Sequence, residues 1–284
     1  MTYRELYLTA RRQLDNAGID APGADAAALL EHFFGLTRPG LAVHGDELPE
    51  PAAERGFLDA VQQRAQRRPL QYILGRWEFM GLSLKVGEGV LVPREDTGVL
   101  VEAVAQRIES LARPAGLDLC AGTGAVALGI CRMVPCAEIT CVEVSPIAFR
   151  FLEENLAAYP DHKVRALQED VLLQATAARF ADGSLDFIAA NPPYIARDEL
   201  PTLQPEVQKE PALALDGGED GLLFYRAIAA LWVPKVKPGG VVAVEIGEEQ
   251  GEAVVELLRL AGVEGPTVLK DWAGLPRCVI GTKK

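Results

Sequence analysis

Residues 116–130, GLDLCAGTGAVALGI, run from a short apolar stretch through two glycines into apolar positions of helical spacing. A strand that turns tightly on glycine into a helix is the opening unit of a parallel α/β sheet. The rest of the chain is read outward from this unit. Downstream, short apolar runs alternate with amphipathic segments. The expected strands are GLDLCA, AEITCVE, KVRAL, LDFIAA, GVVAVEIG, PTVLKD and RCVIGT, and helices are expected over 124–134, 146–157, 219–233 and 248–261. This rhythm predicts an open, doubly wound, Rossmann-like sheet covered on both faces. Only WAGLP separates the last two runs, too little for a helix, so they are expected to form an antiparallel pair at one edge.

Upstream, residues 1 to about 70 carry helix-period apolar spacing instead: Leu6, Leu8 and Leu14, then Ala26, Leu29, Leu30 and Phe33, then Phe57, Leu58, Val61 and Ala65. Pro22-Gly23, Pro39-Gly40 and Leu48 to Pro51 read as short turns between helices. From GRWEFMGLSLKV to GVLVPRED the apolar residues alternate and are broken by Gly81 and Gly87, the pattern of a β-hairpin. The expected organisation is a helical domain over 1–72, a hairpin linker over 73–93 and an α/β domain over 94–284.

The 284 residues carry 28 basic and 40 acidic side chains, a formal charge of −12, which gives no general cationic field for a phosphate backbone. The one basic cluster, QQRAQRRP at 62–69, reads as a solvated helix end with favourable dipole charge. No run approaches a membrane span and the N-terminal stretch is charged throughout, so a cytoplasmic location is expected. The five cysteines lack a C-x-x-C pair and lie far in sequence from the three histidines. They are expected to be buried, reduced thiols without a metal.

In such a sheet ligands sit beyond the carboxyl ends of the strands. The loop Cys120-Ala121-Gly122-Thr123-Gly124 permits close backbone approach, and the amides of the next helix face whatever binds there. Glycines also end strands for structural reasons alone, so the loop is read together with its neighbours. Glu143 ends the second strand about twenty residues on, where a carboxylate can accept both hydroxyls of an adenosine ribose. Ser145-Pro146 would also cap and start the following helix there. Asp170, after the third strand, is placed to meet an adenine amino group. This set suits a dinucleotide or S-adenosylmethionine. No histidine is well placed for hydride chemistry, because His162 lies in the turn-like PDHK. Methyl transfer needs mainly alignment of a nucleophile.

The fourth strand ends in Asn191-Pro192-Pro193-Tyr194. Two prolines cannot continue a central strand, and as turn residues they would terminate it. They also stiffen the chain so that the Asn191 side-chain oxygen and the Pro192 carbonyl can accept the two N–H bonds of a planar NH2 group. That grip favours a pyramidal nitrogen whose lone pair is free for attack. Tyr194 offers an aromatic face to the same group. No strong base is required.

With RRPLQYILG, LVPREDT, DLCAGTGAVAL, CVEVSPIA, NPPYI and VAVEIG in this order, the chain resembles the release factor glutamine N5-methyltransferases of the PrmC/HemK type over essentially its whole length. The resemblance implies a class I S-adenosylmethionine-dependent methyltransferase domain, with a mostly parallel seven-stranded sheet and an antiparallel edge strand, behind a substrate-recognising helical domain and hairpin. It implies methyl transfer to the glutamine amide of the Gly-Gly-Gln motif in class I peptide chain release factors, leaving S-adenosylhomocysteine. The cofactor loop maps onto Cys120 to Gly124, the ribose acid onto Glu143, the adenine side onto Asp170 and Val171, and the substrate clamp onto Asn191 to Tyr194, with Asn191 also beside the cofactor. Three positions depart from the family pattern: Gly98 stands for an acid, Glu143 for the commoner Asp, and Val171 for an aromatic residue found in some members. The remaining alternatives are an amino-methyltransferase of the same NPPY type, acting on another protein glutamine or on an exocyclic base amine, and a non-catalytic binding module that retains the fold.

Overall fold

The computed structural model describes residues 1–284 as two compact units, Met1–Arg76 with Gln204–Lys209, and Trp77–Leu203 with Glu210–Lys284. The first contains α1 (Tyr3–Asn16), α2 (Pro22–Phe34), α3 (Arg38–His44), α4 (Pro51–Ala65) and α5 (Leu70–Leu74). A capping box starts α1: Glu5 N–H donates to the Thr2 hydroxyl, and the Glu5 carboxylate accepts from Thr2 N–H. Leu6, Ala10 and Leu14 of α1 meet Ala26, Leu29 and Leu30 of α2 and Phe57 and Val61 of α4 in one core.

Leu8 does not join this core. It is half-exposed, because a residue two positions from Leu6 falls on the opposite side of the helix, and Ala10 takes the inward place. The proline pairs are also more than turns. Pro22, Pro39 and Pro51 stand in the first turn of α2, α3 and α4, where a missing N–H costs nothing. Nor is 62–69 a solvated helix end. Arg64 is buried, donates to Asp25 at 2.7 Å and to Glu206 at 2.9 Å, and Arg67 donates to Glu206 at 3.2 Å and to the carbonyls of Ala17 and Gly18. The two guanidiniums therefore pin residues 204–209 to the helical unit, a long-range pairing that a local reading of the charge cluster cannot detect.

The second unit opens with the hairpin β1 (Arg76–Phe79) and β2 (Leu82–Lys85). Met80 and Gly81 both have positive φ at its turn, as a tight two-residue connection demands. There follow α6 (Gly98–Ile108), β3 (Ala115–Leu119), α7 (Ala125–Met133), β4 (Glu138–Glu143), α8 (Pro146–Ala158), β5 (Lys163–Gln168), α9 (Gln174–Ala177) and β6 (Leu185–Ala190). A long connection leads to α10 (Leu223–Ala227), then β7 (Val236–Glu245), α11 (Gly251–Leu260), β8 (Val263–Lys270) and β9 (Pro276–Lys283). No helix is long and apolar enough to cross a membrane.

The seven strands lie in the order β5-β4-β3-β6-β7-β9-β8. Neighbours from β5 to β7 are parallel. The antiparallel β8–β9 pair closes one edge, with the reversed strand β9 inside and β8 outermost. Alternate strand residues feed two cores: Phe187, Ala189, Val241 and Ala243 face α6 and α7, while Ile188, Ala190, Val242 and Val244 face α10 and α11. Burial on both faces explains why these strands read as continuous apolar runs. The expected helix 219–233 is α-helical only over α10. It continues through a π-helical stretch, Ile228–Trp232, and a 3-10 turn, Val233–Lys235, where Pro234 has no N–H to sustain it and the Trp232 indole is held by the Val171 carbonyl at 2.9 Å.

Candidate active site

Strand order reverses between β3 and β6, and the chain leaves these two neighbours as Cys120 and Asn191. A crevice at such a reversal is the expected ligand position. The cavity there encloses about 1040 Å³ counting its open mouth. Of the residues expected in the site, Cys120, Ala121, Gly122, Thr123, Glu143, Asp170, Val171, Asn191 and Pro193 line it. Gly124, Pro192 and Tyr194 do not.

Along the loop, Cys120, Gly122 and Gly124 have positive φ (61°, 55° and 81°) and the residues between them do not. This alternation turns the backbone sharply around the end of β3. At Gly122 a Cβ would find nothing nearer than Val90 at 4.0 Å, so the bare backbone borders open cleft. At Gly124 a Cβ would lie 2.7 Å from Leu152 of α8, which makes that glycine a packing requirement rather than a ligand contact.

Glu143 is buried, and each carboxylate oxygen accepts one backbone N–H at 2.8 Å: Oε2 from Gly122 and Oε1 from Ser145. The carboxylate is thus locked, with acceptor capacity left on each oxygen, as a vicinal diol requires. Burial raises its pKa, and the amides of Ser145, Gly122 and Val144 oppose the rise. Ser145 also caps α8, accepting from Ala148 N–H at 3.3 Å, so ligand acid and helix cap coexist in one turn. Asp170 Oδ1 accepts from Leu172 N–H at 2.8 Å, which leaves Oδ2 available at the cavity wall beside Val171. These donor and acceptor sets fit an adenosine moiety.

Asn191 donates from Nδ2 to the Thr97 hydroxyl at 3.3 Å. Its Oδ1 accepts no hydrogen bond within the chain, and the residue lines the cavity. Pro192 is buried behind it. Tyr194 turns into the second core, where its carbonyl accepts from Gln250 Nε2 at 2.8 Å and burial pushes its phenol up to about 12. The Cys120 thiol is driven well above its ordinary value by burial and by the neighbouring carboxylates Glu143, Asp118 and Asp170, so it is protonated and no nucleophile. No histidine lines the cavity. The site offers fixed acceptors rather than a base.

Several lining residues carried no sequence signal of their own. Val90, Leu91 and Pro93 arrive from the segment after the hairpin, and Pro211, Leu213 and Ala214 from the long connection after β6. Glu210 joins these two walls: it accepts from Val92 N–H at 2.9 Å and pairs with Arg94. The arginine of LVPREDT thus serves to anchor the wall. Gly98 opens α6 in a buried position, with Met80 as the only neighbour within 4 Å of a notional Cβ.

A parallel sheet of this order, a glycine loop after its central strand, acids at the next two strand ends and Asn-Pro-Pro-Tyr at the fourth define the class I methyltransferases. Family models agree: residues 5–75 match the PrmC N-terminal domain and residues 95–216 the methyltransferase small domain. The chain is 39% identical over 290 aligned residues to the release factor glutamine methyltransferase of Moorella thermoacetica, covering 100% of this chain and 99% of that protein. It is 36% identical to the protein of the same name from Caulobacter vibrioides, covering 100% and 97%. Among solved structures, the T. thermophilus 16S rRNA N2 G1207 methyltransferase, in complex with AdoMet and guanosine, aligns with a TM-score of 0.51 at 21% identity, over 74% of this chain and 50% of that one, a likeness of fold. The chain belongs to the release factor glutamine methyltransferase family.

Proposed function

We propose that this protein transfers a methyl group from S-adenosylmethionine to the side-chain amide nitrogen of the glutamine in the Gly-Gly-Gln motif of class I peptide chain release factors. The observation that carries the reading is Asn191: its NH2 is engaged by Thr97, no hydrogen bond within the chain is made to its oxygen, and the residue lines the same cavity as Glu143 and Asp170. When bound, the cofactor supplies a methyl activated by a positively charged sulfur.

Glu143 accepts the ribose hydroxyls on its two remaining acceptor positions. Asp170 accepts the adenine amino group, and Val171 packs against the ring. Asn191 Oδ1 accepts one N–H bond of the substrate amide and holds its nitrogen in line for attack, while Pro192, which does not line the cavity, must turn its carbonyl toward the cleft to accept the other. The N-protonated methyl amide that results is strongly acidic and gives its extra proton to water at the cavity mouth, so no strong base is needed. Tyr194 supports the clamp from behind rather than from within the cavity. We assign the helical unit to holding the release factor, and the location, with that partner, to the cytoplasm.

Incubation with labelled S-adenosylmethionine, a full-length release factor and its Gln→Ala variant tests the substrate. Label is expected on the wild-type factor alone. Label on both, or on neither, overturns the assignment.

A further inference from the structure

Glu245, the last residue of β7, is 2% exposed, and its Oε2 has no hydrogen-bond partner. An ionisable group this deep is expensive to keep unless it acts on something. The Thr97 side chain lies close enough to favour the charged form of the carboxylate, and its hydroxyl accepts from Asn191 Nδ2 at 3.3 Å. Thr97 is 3% exposed, so water does not compete for either contact.

We propose that Thr97 and Glu245 are positioning residues that set the polarity of the Asn191 amide, through the relay Asn191 Nδ2–H to Thr97 Oγ1–H to the Glu245 carboxylate. The inference rests on the clamp reading of Asn191. A hydroxyl has one proton. Once Thr97 commits it to a carboxylate, which can only accept, the hydroxyl oxygen can only accept from Asn191. The amide must then turn its NH2 inward and its oxygen toward the substrate. Without that constraint the amide can rotate, presenting NH2 to an incoming NH2, donor against donor.

The charge state of Glu245 tunes the device. Burial pushes its carboxyl up to about 7, opposed by the Thr97 hydroxyl and by Arg277 and Arg94, and reinforced by Asp96. The other titratable groups that face it are Tyr194 after β6, Tyr225 on α10 and Cys278 on β9, all of which burial keeps protonated at neutral pH. A protonated Glu245 can itself donate, which weakens the commitment of Thr97. The rate should therefore rise as Glu245 ionises.

The test compares kcat and KM for release-factor methylation in wild type, Thr97→Val, Thr97→Ser, Glu245→Leu, Glu245→Gln and Asn191→Ala. S-adenosylhomocysteine binding checks that each variant folds. Thr97→Val and Glu245→Leu should each lower kcat about 10- to 100-fold, the span of a lost charge-assisted hydrogen bond, with the cofactor-product Kd within about twofold. Thr97→Ser should restore kcat. Glu245→Gln brings a donor as well as an acceptor, as the protonated acid does, so it should hold kcat near the low-pH value of wild type and lose the rise through about pH 7. Wild-type kcat in Thr97→Val and Glu245→Leu, beside a crippled Asn191→Ala, overturns the relay alone. Wild-type kcat in Asn191→Ala overturns the clamp beneath it. Should the Thr97 or Glu245 variants not fold, the wild-type pH profile decides, and a kcat flat across pH 6 to 8 refutes the relay.

Discussion

The side chain of Asn155, on α8, behaves toward Lys85 as a neighbouring strand would: it accepts the Lys85 N–H at 2.7 Å and donates to the Lys85 carbonyl at 3.1 Å. Its second amide proton goes to the carbonyl of Thr123, in the glycine loop, at 3.0 Å. One buried side chain thus ties the end of the hairpin to the cofactor loop. Asn155→Ala strands three backbone groups, that of Thr123 buried and the two of Lys85 partly so, and should cost about 2 to 3 kcal/mol of stability. It should also weaken S-adenosylhomocysteine binding, because the loop loses its outer support. Thermal unfolding and titration calorimetry measure the two effects.

Glu143 admits no neutral isostere. Both of its oxygens already accept a backbone N–H, so in Glu143→Gln the amide NH2 must face one of these donors. The variant should raise the Kd for S-adenosylhomocysteine about 10- to 100-fold. A change smaller than about twofold, by calorimetry, would exclude Glu143 as the ribose acceptor.

For the clamp, Asn191→Ala should lower kcat by about two orders of magnitude or more while cofactor affinity stays within a few-fold of wild type. Steady-state rates with saturating release factor, set beside binding of S-adenosylhomocysteine, separate the two effects.

Asp118, at the base of the glycine loop, links stability to pH. Its carboxyl is pushed by burial from the ordinary 3.8 up to about 7, opposed by the Ala127 amide, which donates to Oδ2 at 3.1 Å. The folded state then binds more protons than the unfolded state between those values, so stability is greatest below the unfolded pKa and falls as pH rises through about 7. Asp118→Asn keeps an acceptor for Ala127 and cannot ionise. Its melting temperature should be less sensitive than that of wild type between about pH 5 and pH 7. Equal slopes in a calorimetric series would show that Asp118 is not the linked group.

What the sequence revealed and what it hid follow from the range of the interactions. LDFIAA is the strand β6 residue for residue, because a strand buried on both faces is written as one apolar run. That Cys120 to Thr123, Glu143, Asp170 and Asn191 would come together around one cavity could be read from the sequence, because each stands at or within a few residues of a strand end and the fold itself brings strand ends together. Thr97, Glu210 and Glu245 carry no local mark of a role in the sequence. Their partners lie in distant parts of the chain, and nothing near them marks the pairing. Leu8 and the 62–69 cluster mislead for the opposite reason: composition there points one way and the helix phase, or a remote Glu206, decides otherwise.

Leu119 and Ala190 are register partners in adjacent parallel strands, and the very next residue of each strand begins the cofactor loop or the clamp. Neighbouring strands are held about 4.8 Å apart by the hydrogen-bond ladder. The glycine loop and the Asn-Pro-Pro-Tyr segment therefore start one ladder spacing apart, a separation set by the sheet and not by either loop. Changes confined to the more distant walls, Val90 to Pro93 and Pro211 to Ala214, would reshape the cavity and leave that starting separation untouched.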